Sequence, residues 1–482
     1  MQVTTLDYLS ILPTLILAVW STALMLIELV VKRKALVGGL ALLGFVAAGA
    51  ASIALWNERG LGFSGMVVLD PYGLFFGLVG ILAGALAVLQ SFNYIRDRGI
   101  GRGEYYALLM FSVCGITLMA SANNLIIVFI ALEILSIPLY VLSGFAWPNL
   151  QSEEAAMKYF LLGAFASGFL LFGIALVYGA AGTTDLSVLA HNLTRTPLLL
   201  IGSGLVLVGL GFKVAVVPFH MWTPDVYEGA PTPVTGFMSV GAKVAGFAAL
   251  VRVFVFALGA LQADWVTIVA VMAALTMILG NVVAVMQNDL KRMLGSSSIA
   301  HAGYILMGVA AAGDPRAREL GVAGAMFYLL AYAFTNLGAF AVLAMLASKN
   351  GEDQSFNAYR GLARRRPYVA LAMAFFMLSL TGIPLTGGFI GKYYLFWSAV
   401  EADLVWLALV GVLTSVVSAF YYLRVVVEMF MREPQQEVES VQYGTLNFSL
   451  GLTALATFAL GVLPSGLLAL AQEAARVLFG IV

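Results

Sequence analysis

Residues 209–234, GLGFKVAVVPFHMWTPDVYEGAPTPV, begin as an apolar helix, carry Lys213, and then run into Pro218, Pro224, Pro231 and Pro233. Proline removes a backbone donor and clashes with the preceding turn, so a helix broken just after the lysine is expected. Residues 377–396, MLSLTGIPLTGGFIGKYYLF, repeat the device, with Pro384, Gly387 and Gly388 ahead of Lys392. Both stretches lie in apolar runs long enough to cross a bilayer. Carbonyls freed at that depth are tolerated only where protein or a wet cavity covers them. Broken helices in corresponding places are a pointer to a transport site.

Working outward, composition fixes the solvent. The chain has 482 residues, 61% hydrophobic and 10% charged, with a mean hydropathy of +0.97. Soluble domains use roughly 25% charged residues. An all-α polytopic membrane protein is therefore expected, as a single integral membrane domain over 1–482. The 50 glycines and 31 phenylalanines suit closely packed apolar helices. A net charge of zero argues against a nucleic-acid partner. Cys114 stands alone in LLMFSVCGITLMA, so neither a disulfide framework nor an iron–sulfur cluster can be assembled from this chain. The first apolar run, 8–31, follows no basic leader and reads as a retained first helix. The longest polar stretch, 347–367, is only loop-sized.

A window of roughly 19 residues gives about fourteen spans. Their approximate limits are 8–31, 36–55, 72–95, 104–121, 123–146, 155–181, 197–219, 232–259, 264–286, 291–312, 321–348, 367–398, 403–431 and 445–472. Basic residues collect in alternate loops: Lys32, Arg33 and Lys34; Arg96, Arg98 and Arg102; Lys291 and Arg292; Lys349, Arg360 and Arg364 to Arg366; Arg432. The opposite loops hold Arg59, Arg195, Arg316 and Arg318. Under the positive-inside rule the basic loops face the cytoplasm and both termini lie on the outer side. The broken spans, seventh and twelfth, are an odd number of crossings apart and so run in opposite directions. An inverted pair of five-helix repeats over 104–259 and 264–431 is expected from this.

Glu133, Lys158, Lys213, Lys243 and Lys392 fall inside the apolar spans. A charge at the middle of a spanning helix costs about 2.5–3.5 kcal/mol on insertion scales, so a row of them should face a polar interior that uses charge. Glu133 and Lys243 sit too deep for their side chains to reach water. Lys213 and Lys392 adjoin the breaks and can also serve freed carbonyls. Lys158 is one turn inside its span, where a snorkelling stem is an alternative to function. Hydroxyls line up with these charges at helical spacing: Ser136, Tyr140 and Ser143 with Glu133; Thr235 and Ser239 with Lys243; Ser297 and Tyr304 with His301. Tyr328, Tyr332, Thr335 and Asn336 form a further stripe, as do Thr414, Ser418, Tyr421 and Tyr422. Such stripes hold water between ionisable groups or bond helix to helix. Arg252, Arg424 and Glu428 read as interfacial or paired, and Asp225 and Glu228 as helix caps.

Four segments resemble a known family: PFHMWTPDVYEGAPTPVTGFMSVGAKVAGF (218–247), FIALEILSIPLYVLSGF (129–145), QNDLKRMLGSSSIAHAGYILMG (287–308) and TGIPLTGGFIGKYYLF (381–396). They look like the antiporter-like membrane subunits of proton-pumping NADH–quinone oxidoreductase, respiratory complex I, over nearly the whole chain. DVYEGAPTPVT followed by FMSVGAKVA is similar to the N type. The L and M types usually show a shorter EGPTPV turn, and the M type tends to carry Glu where Lys392 stands.

The resemblance implies a fold of fourteen helices with inverted repeats and broken helices 7 and 12. It implies a charged axis with Glu133 paired to Lys213, Lys243 at its centre and Lys392 on the twelfth span, joined by Lys158 and His301. It places flavin, iron–sulfur clusters and the quinone site in partner subunits, leaving no cofactor or metal here. It implies M-type and K/J-type membrane neighbours, the lateral helix of an L-type subunit, lipid contact, and residence in the bacterial inner membrane. At an effective dielectric of about 20 and about 4 Å, an acid–amine attraction is worth about 4 kcal/mol, or roughly three pKa units. Moving Glu133 against Lys213 would then switch that lysine between holding and releasing a proton. The alternative reading is a subunit of a cation/proton antiporter without redox chemistry.

Overall fold

A computed structural model describes residues 4–31, 33–347, 353–434 and 444–480. Lys32 and Lys349, counted above among the basic loops, lie outside the described residues. The chain opens with α1 (Thr5–Ser10), α2 (Leu12–Val30) and α3 (Lys34–Ala54). A short antiparallel hairpin follows, β1 (Gly60–Gly62) with β2 (Val67–Leu69), Gly60 opposite Leu69. Then come α4 (Pro71–Asp97), α5 (Glu104–Ala120), α6 (Leu125–Ser143), α7 (Leu150–Ala181), α8 (Leu186–His191), α9 (Pro197–Val214) and α10 (Thr223–Gly229). α11 (Thr232–Leu250) continues into a π-helix over Val251–Ala257 before α12 (Gln262–Met286), α13 (Leu290–Ala311) and α14 (Arg318–Leu346). The remainder is α15 (Leu362–Arg365), α16 (Pro367–Thr381), α17 (Gly387–Glu401), α18 (Val405–Met431), α19 (Gly444–Val462) and α20 (Ser465–Gly480).

Twelve described helices are long and apolar enough to cross a membrane. Two shorter apolar ones, Glu104–Ala120 and Pro367–Thr381, occupy the fourth and twelfth expected positions. The protein is an all-α polytopic membrane protein apart from the small hairpin, whose three-residue strands carry too little pattern to stand out from a loop. Two limits shift. The first span is divided at Ile11 into α1 and α2, and the last, expected over 445–472, stops at Val462. Pro464 ends α19, and α20 sets off separately with Ala471, Ala474, Ala475 and Leu478 buried against the bundle.

Both expected breaks are present. α9 ends at Ala215 in the left-handed region (φ 60°), and no α-helix resumes until Thr223. α16 ends at Gly382 (φ 94°), a conformation strained for any residue with a Cβ, and α17 begins after Thr386, whose hydroxyl caps Phe389 N. α11, α13 and α14 are almost wholly enclosed, whereas α2, α7, α18 and α19 leave Leu29, Phe165, Val416 and Leu455 exposed. The enclosed helices carry Lys243 and His301. Apolar exposure on the periphery is what lipid or a neighbouring membrane subunit would cover.

Candidate functional site

Lys213, at the end of α9, is 3% exposed. Its Nζ donates to Ser136 Oγ on α6 at 2.8 Å and to Tyr159 OH on α7 at 3.2 Å. The direct pair expected with Glu133 is not made. Glu133 lies one turn before Ser136, half-buried, and its carboxylate accepts from Ser167 on α7 at 2.5 Å. Ser136 comes between the two because it occupies the same face of α6, i+3 from the acid, and meets the ammonium first. Ser167 was absent from the stripes read in the sequence because α7 shows no clear polar face.

From Lys213 an aromatic wall leads inward. The Tyr159 ring stacks on Trp222 with centroids 4.5 Å apart, and Trp222 meets Tyr227 edge-on at 5.9 Å. Lys243, 1% exposed in the middle of α11, donates to Ser298 Oγ on α13 and to Ser239 O at 3.4 Å. Ser298 also accepts from Tyr332 OH at 2.9 Å, and Asn336 Nδ2 donates to Ser239 Oγ at 2.5 Å. Side chains of α11, α13 and α14 therefore converge on one lysine, the α13 contact being Ser298, which lay outside the stripes read in the sequence.

His301 is 2% exposed, with both ring nitrogens engaged by phenols: Nδ1 with Tyr328 OH at 2.5 Å and Nε2 with Tyr422 OH at 2.9 Å. Tyr422 OH donates onward to Ser297 Oγ at 2.8 Å. Lys392, 3% exposed, donates to Thr381 O at 2.9 Å and to Ser415 Oγ at 3.1 Å, and its Nζ lies 4.6 Å from the centre of the Tyr304 ring. Thr381 O is a carbonyl freed by the break between α16 and α17, so this lysine does serve the backbone as well as extending the row. Not every hydroxyl takes part: Thr235 Oγ1 is satisfied by Tyr227 O at 2.9 Å and Ser418 Oγ by Ser415 O at 2.6 Å.

Lys158 is set apart. Its side chain is 40% exposed and pairs with Asp225 and Glu154, each at 2.6 Å. Asp225 and Glu228, expected as caps, pair instead with cations; Arg292 holds Glu228 at 2.6 Å and Asp225 at 3.2 Å. Together these groups line a cavity of about 280 Å3 between α7, α10 and α13. Lys291, counted as a loop cation, is 1% exposed and reaches Ala230 O at 2.6 Å and Glu228 O at 3.0 Å. Arg424 donates to Gln287 O, and Glu428 is paired with Arg360 at 2.8 Å. Arg252, read as interfacial or paired, is paired, but its partner Asp70 escaped the sequence reading: from the π-helix Arg252 grips both oxygens of Asp70, at 2.7 and 2.9 Å. Asp70 also caps α4 through Gly73 N at 2.7 Å, and Pro71 directly after it was the available signal.

A many-helix membrane bundle with broken helices and a line of buried lysines defines an antiporter-like translocator. Residues 122–418 match the family model described as NADH:quinone oxidoreductase/Mrp antiporter, TM. The chain is 46% identical over 478 residues to the NADH-quinone oxidoreductase subunit N of Chloroflexus aggregans, covering 97% of each. A chain of respiratory complex I from Thermus thermophilus, solved with bound aureothin, superposes with TM-score 0.82 at 37% identity, covering 95% of this chain and 98% of that one. A chain of the Mrp complex from Dietzia sp. shares the fold alone, at TM-score 0.86 and 23% identity over 99% and 98%. The chain belongs to the NADH-quinone oxidoreductase subunit N family, the proton-translocating, antiporter-like membrane subunits of that complex.

Proposed function

We propose that protons move along Glu133, Lys213, Lys243, His301 and Lys392, with Lys158 at the rim of the basic-side cavity as a less central member. The observation that carries this is the enclosure of three lysines, each 3% exposed or less and each hydrogen-bonded to a hydroxyl on a neighbouring helix. A buried ammonium that gives up its proton to a hydroxyl-lined path needs no large movement to take it back. Glu133 regulates the first lysine through the field across Ser136, and a conformational or electrostatic signal from electron transfer in partner subunits shifts that acid. The proton then passes to Lys243, crosses the His301 phenol cluster and leaves from Lys392.

Flavin, iron–sulfur clusters and the quinone site belong to partners in this reading, and this chain has no redox centre of its own. M-type and K/J-type subunits flank it and the lateral helix of an L-type subunit crosses it, in a bacterial inner membrane with both termini outside. The inverted repeats, 104–259 and 264–431, are supported by a matching latch in each half. Leu125 N, at the head of α6, donates to Thr184 O after α7; Leu290 N, at the head of α13, donates to Gln354 O after α14. Each latch is accompanied by an antiparallel bridge, Asn124 with Asp185 and Asp289 with Ser355.

The test is Glu133→Ala and Lys243→Ala in the assembled complex, with proton pumping and electron transfer measured together. Pumping is expected to fall by about 100-fold or more, the range for loss of a proton-transfer group. Unchanged pumping with normal assembly would defeat the proposal.

A further inference from the structure

One end of the bundle carries Arg59, Arg195, Arg316, Arg318 and Arg476, and four of these have a carboxylate. Arg59 meets Glu473 at 3.7 Å, Arg195 meets Asp264 at 2.7 Å, Arg316 meets Asp403 at 2.6 Å and Asp314 at 2.9 Å, and Arg476 meets Glu319 at 2.8 Å. Arg318, the first residue of α14, has no acidic partner among the described residues. Its Nε is enclosed without an acceptor, and its guanidinium lies over the Phe479 ring at 5.4 Å. Asp314 feels the charge of Arg318 but is bonded to Arg316, and Glu319 is bonded to Arg476.

Arg318 opens on a cavity of about 370 Å3, bounded by His191 at the end of α8, Phe256 of the π-helix, Gly259 and Ala260 just beyond it, and Phe479 of α20. His191 spends Nδ1 on Ser187 O of its own helix at 2.8 Å, which leaves Nε2 as its remaining polar atom. The lining thus combines a guanidinium with no carboxylate in contact, an imidazole, two aromatic rings and a glycine that presents bare backbone. The amides at the start of the 29-residue α14 add partial positive charge on the same side.

We propose that this cavity binds a phosphate group, either that of an anionic phospholipid headgroup or a free phosphate. A planar guanidinium matches two phosphate oxygens at once, which an isolated cation with a carboxylate neighbour would not be free to do. The cavity lies at the start of α14 and just past the π-helix, where the spans end, and Phe256 and Phe479 would offer apolar surface to the glycerol side of a lipid. The site is separate from the lysine row and goes beyond proton transfer.

The experiment uses the assembled complex in maltoside micelles, which carry no phosphate, with phosphatidylglycerol or inorganic phosphate added and bound ligand read by native mass spectrometry. Wild type is expected to retain phosphatidylglycerol about tenfold more tightly than Arg318→Ala, the size of a lost charge-assisted hydrogen bond, while Arg59→Ala matches wild type. Arg318→Lys, which keeps the charge but not the fork, is expected to fall between and guards against misassembly of the alanine variant. Retention of inorganic phosphate without a preference for the lipid assigns the site to the free ion. Equal binding of both ligands by wild type and both Arg318 variants, or binding by none, overturns the proposal and leaves Arg318 to a carboxylate of a neighbouring subunit.

Discussion

Asp70 and Arg252, with side chains 0% and 2% exposed, are the most deeply enclosed ion pair among the described residues. Arg252 also donates to Ala120 O at 2.8 Å and lies 4.6 Å over the Tyr72 ring, so it ties α4, α5 and α11 at one end. Removing one member of a buried pair strands the other, at a cost of about 3–5 kcal/mol. Arg252→Ala should therefore lower the thermal midpoint of the assembled complex and the amount of this subunit incorporated, by far more than alanine at the exposed Arg316. Equal midpoints for the two variants would contradict this. At this scale the sequence was legible where a charge stood alone in an apolar run, as with Lys243. It was opaque where position was decided by partners distant in the chain. The serine between Glu133 and Lys213 and the pairing of Lys158 with Asp225 depend on how α6, α7, α9 and α10 meet, which no local spacing encodes.

Asp289 belongs to the scale of elements. It heads α13, outside the spans, and its side chain accepts from Arg292 N at 2.8 Å. Burial pushes its carboxyl up to about 6, with the charge of Glu228 acting in the same direction and the Arg292 and Lys291 groups opposing. A folded value above the ordinary carboxylate value of about 3.9 means that its contribution to stability is complete below that pH. The contribution is lost as pH rises through about 6. Asparagine caps a helix as well as aspartate does and carries no charge. Asp289→Asn should thus gain in thermal midpoint over wild type as pH rises from about 4 to about 7, and a gap independent of pH would refute the assignment. Elements were the most readable level: helix existence, and both breaks, followed from apolar runs and proline placement. The hairpin and the π-helix after Leu250 did not, because each is set by packing of segments too short to carry a period, and the separation of α20 was missed although Pro464 marks it.

For the whole molecule, orientation is the open quantity, and the chain lends itself to a direct measurement. Cys114 is buried, so a cysteine introduced at an exposed position is the accessible one. Glu153 and Asn192 are exposed and lie at opposite ends of α7 and its following loop. The distribution of arginine and lysine predicts that a membrane-impermeant maleimide added to intact cells labels Asn192→Cys and spares Glu153→Cys. Inside-out vesicles should reverse the pattern; the opposite result would invert the topology. Charge bias is a property of the chain as a whole, which is why it can be read without knowing any contact.

Of the groups proposed for the row, Glu133 is half-buried and Lys158 stands at the rim, while Lys213, Lys243 and Lys392 are sealed by side chains. On the proposed path, a neighbouring subunit would therefore address Glu133 more readily than any of the three lysines. On that path, a signal from outside would arrive as a change in electric field at that carboxylate, and the three lysines would be screened from the surroundings by the bundle itself.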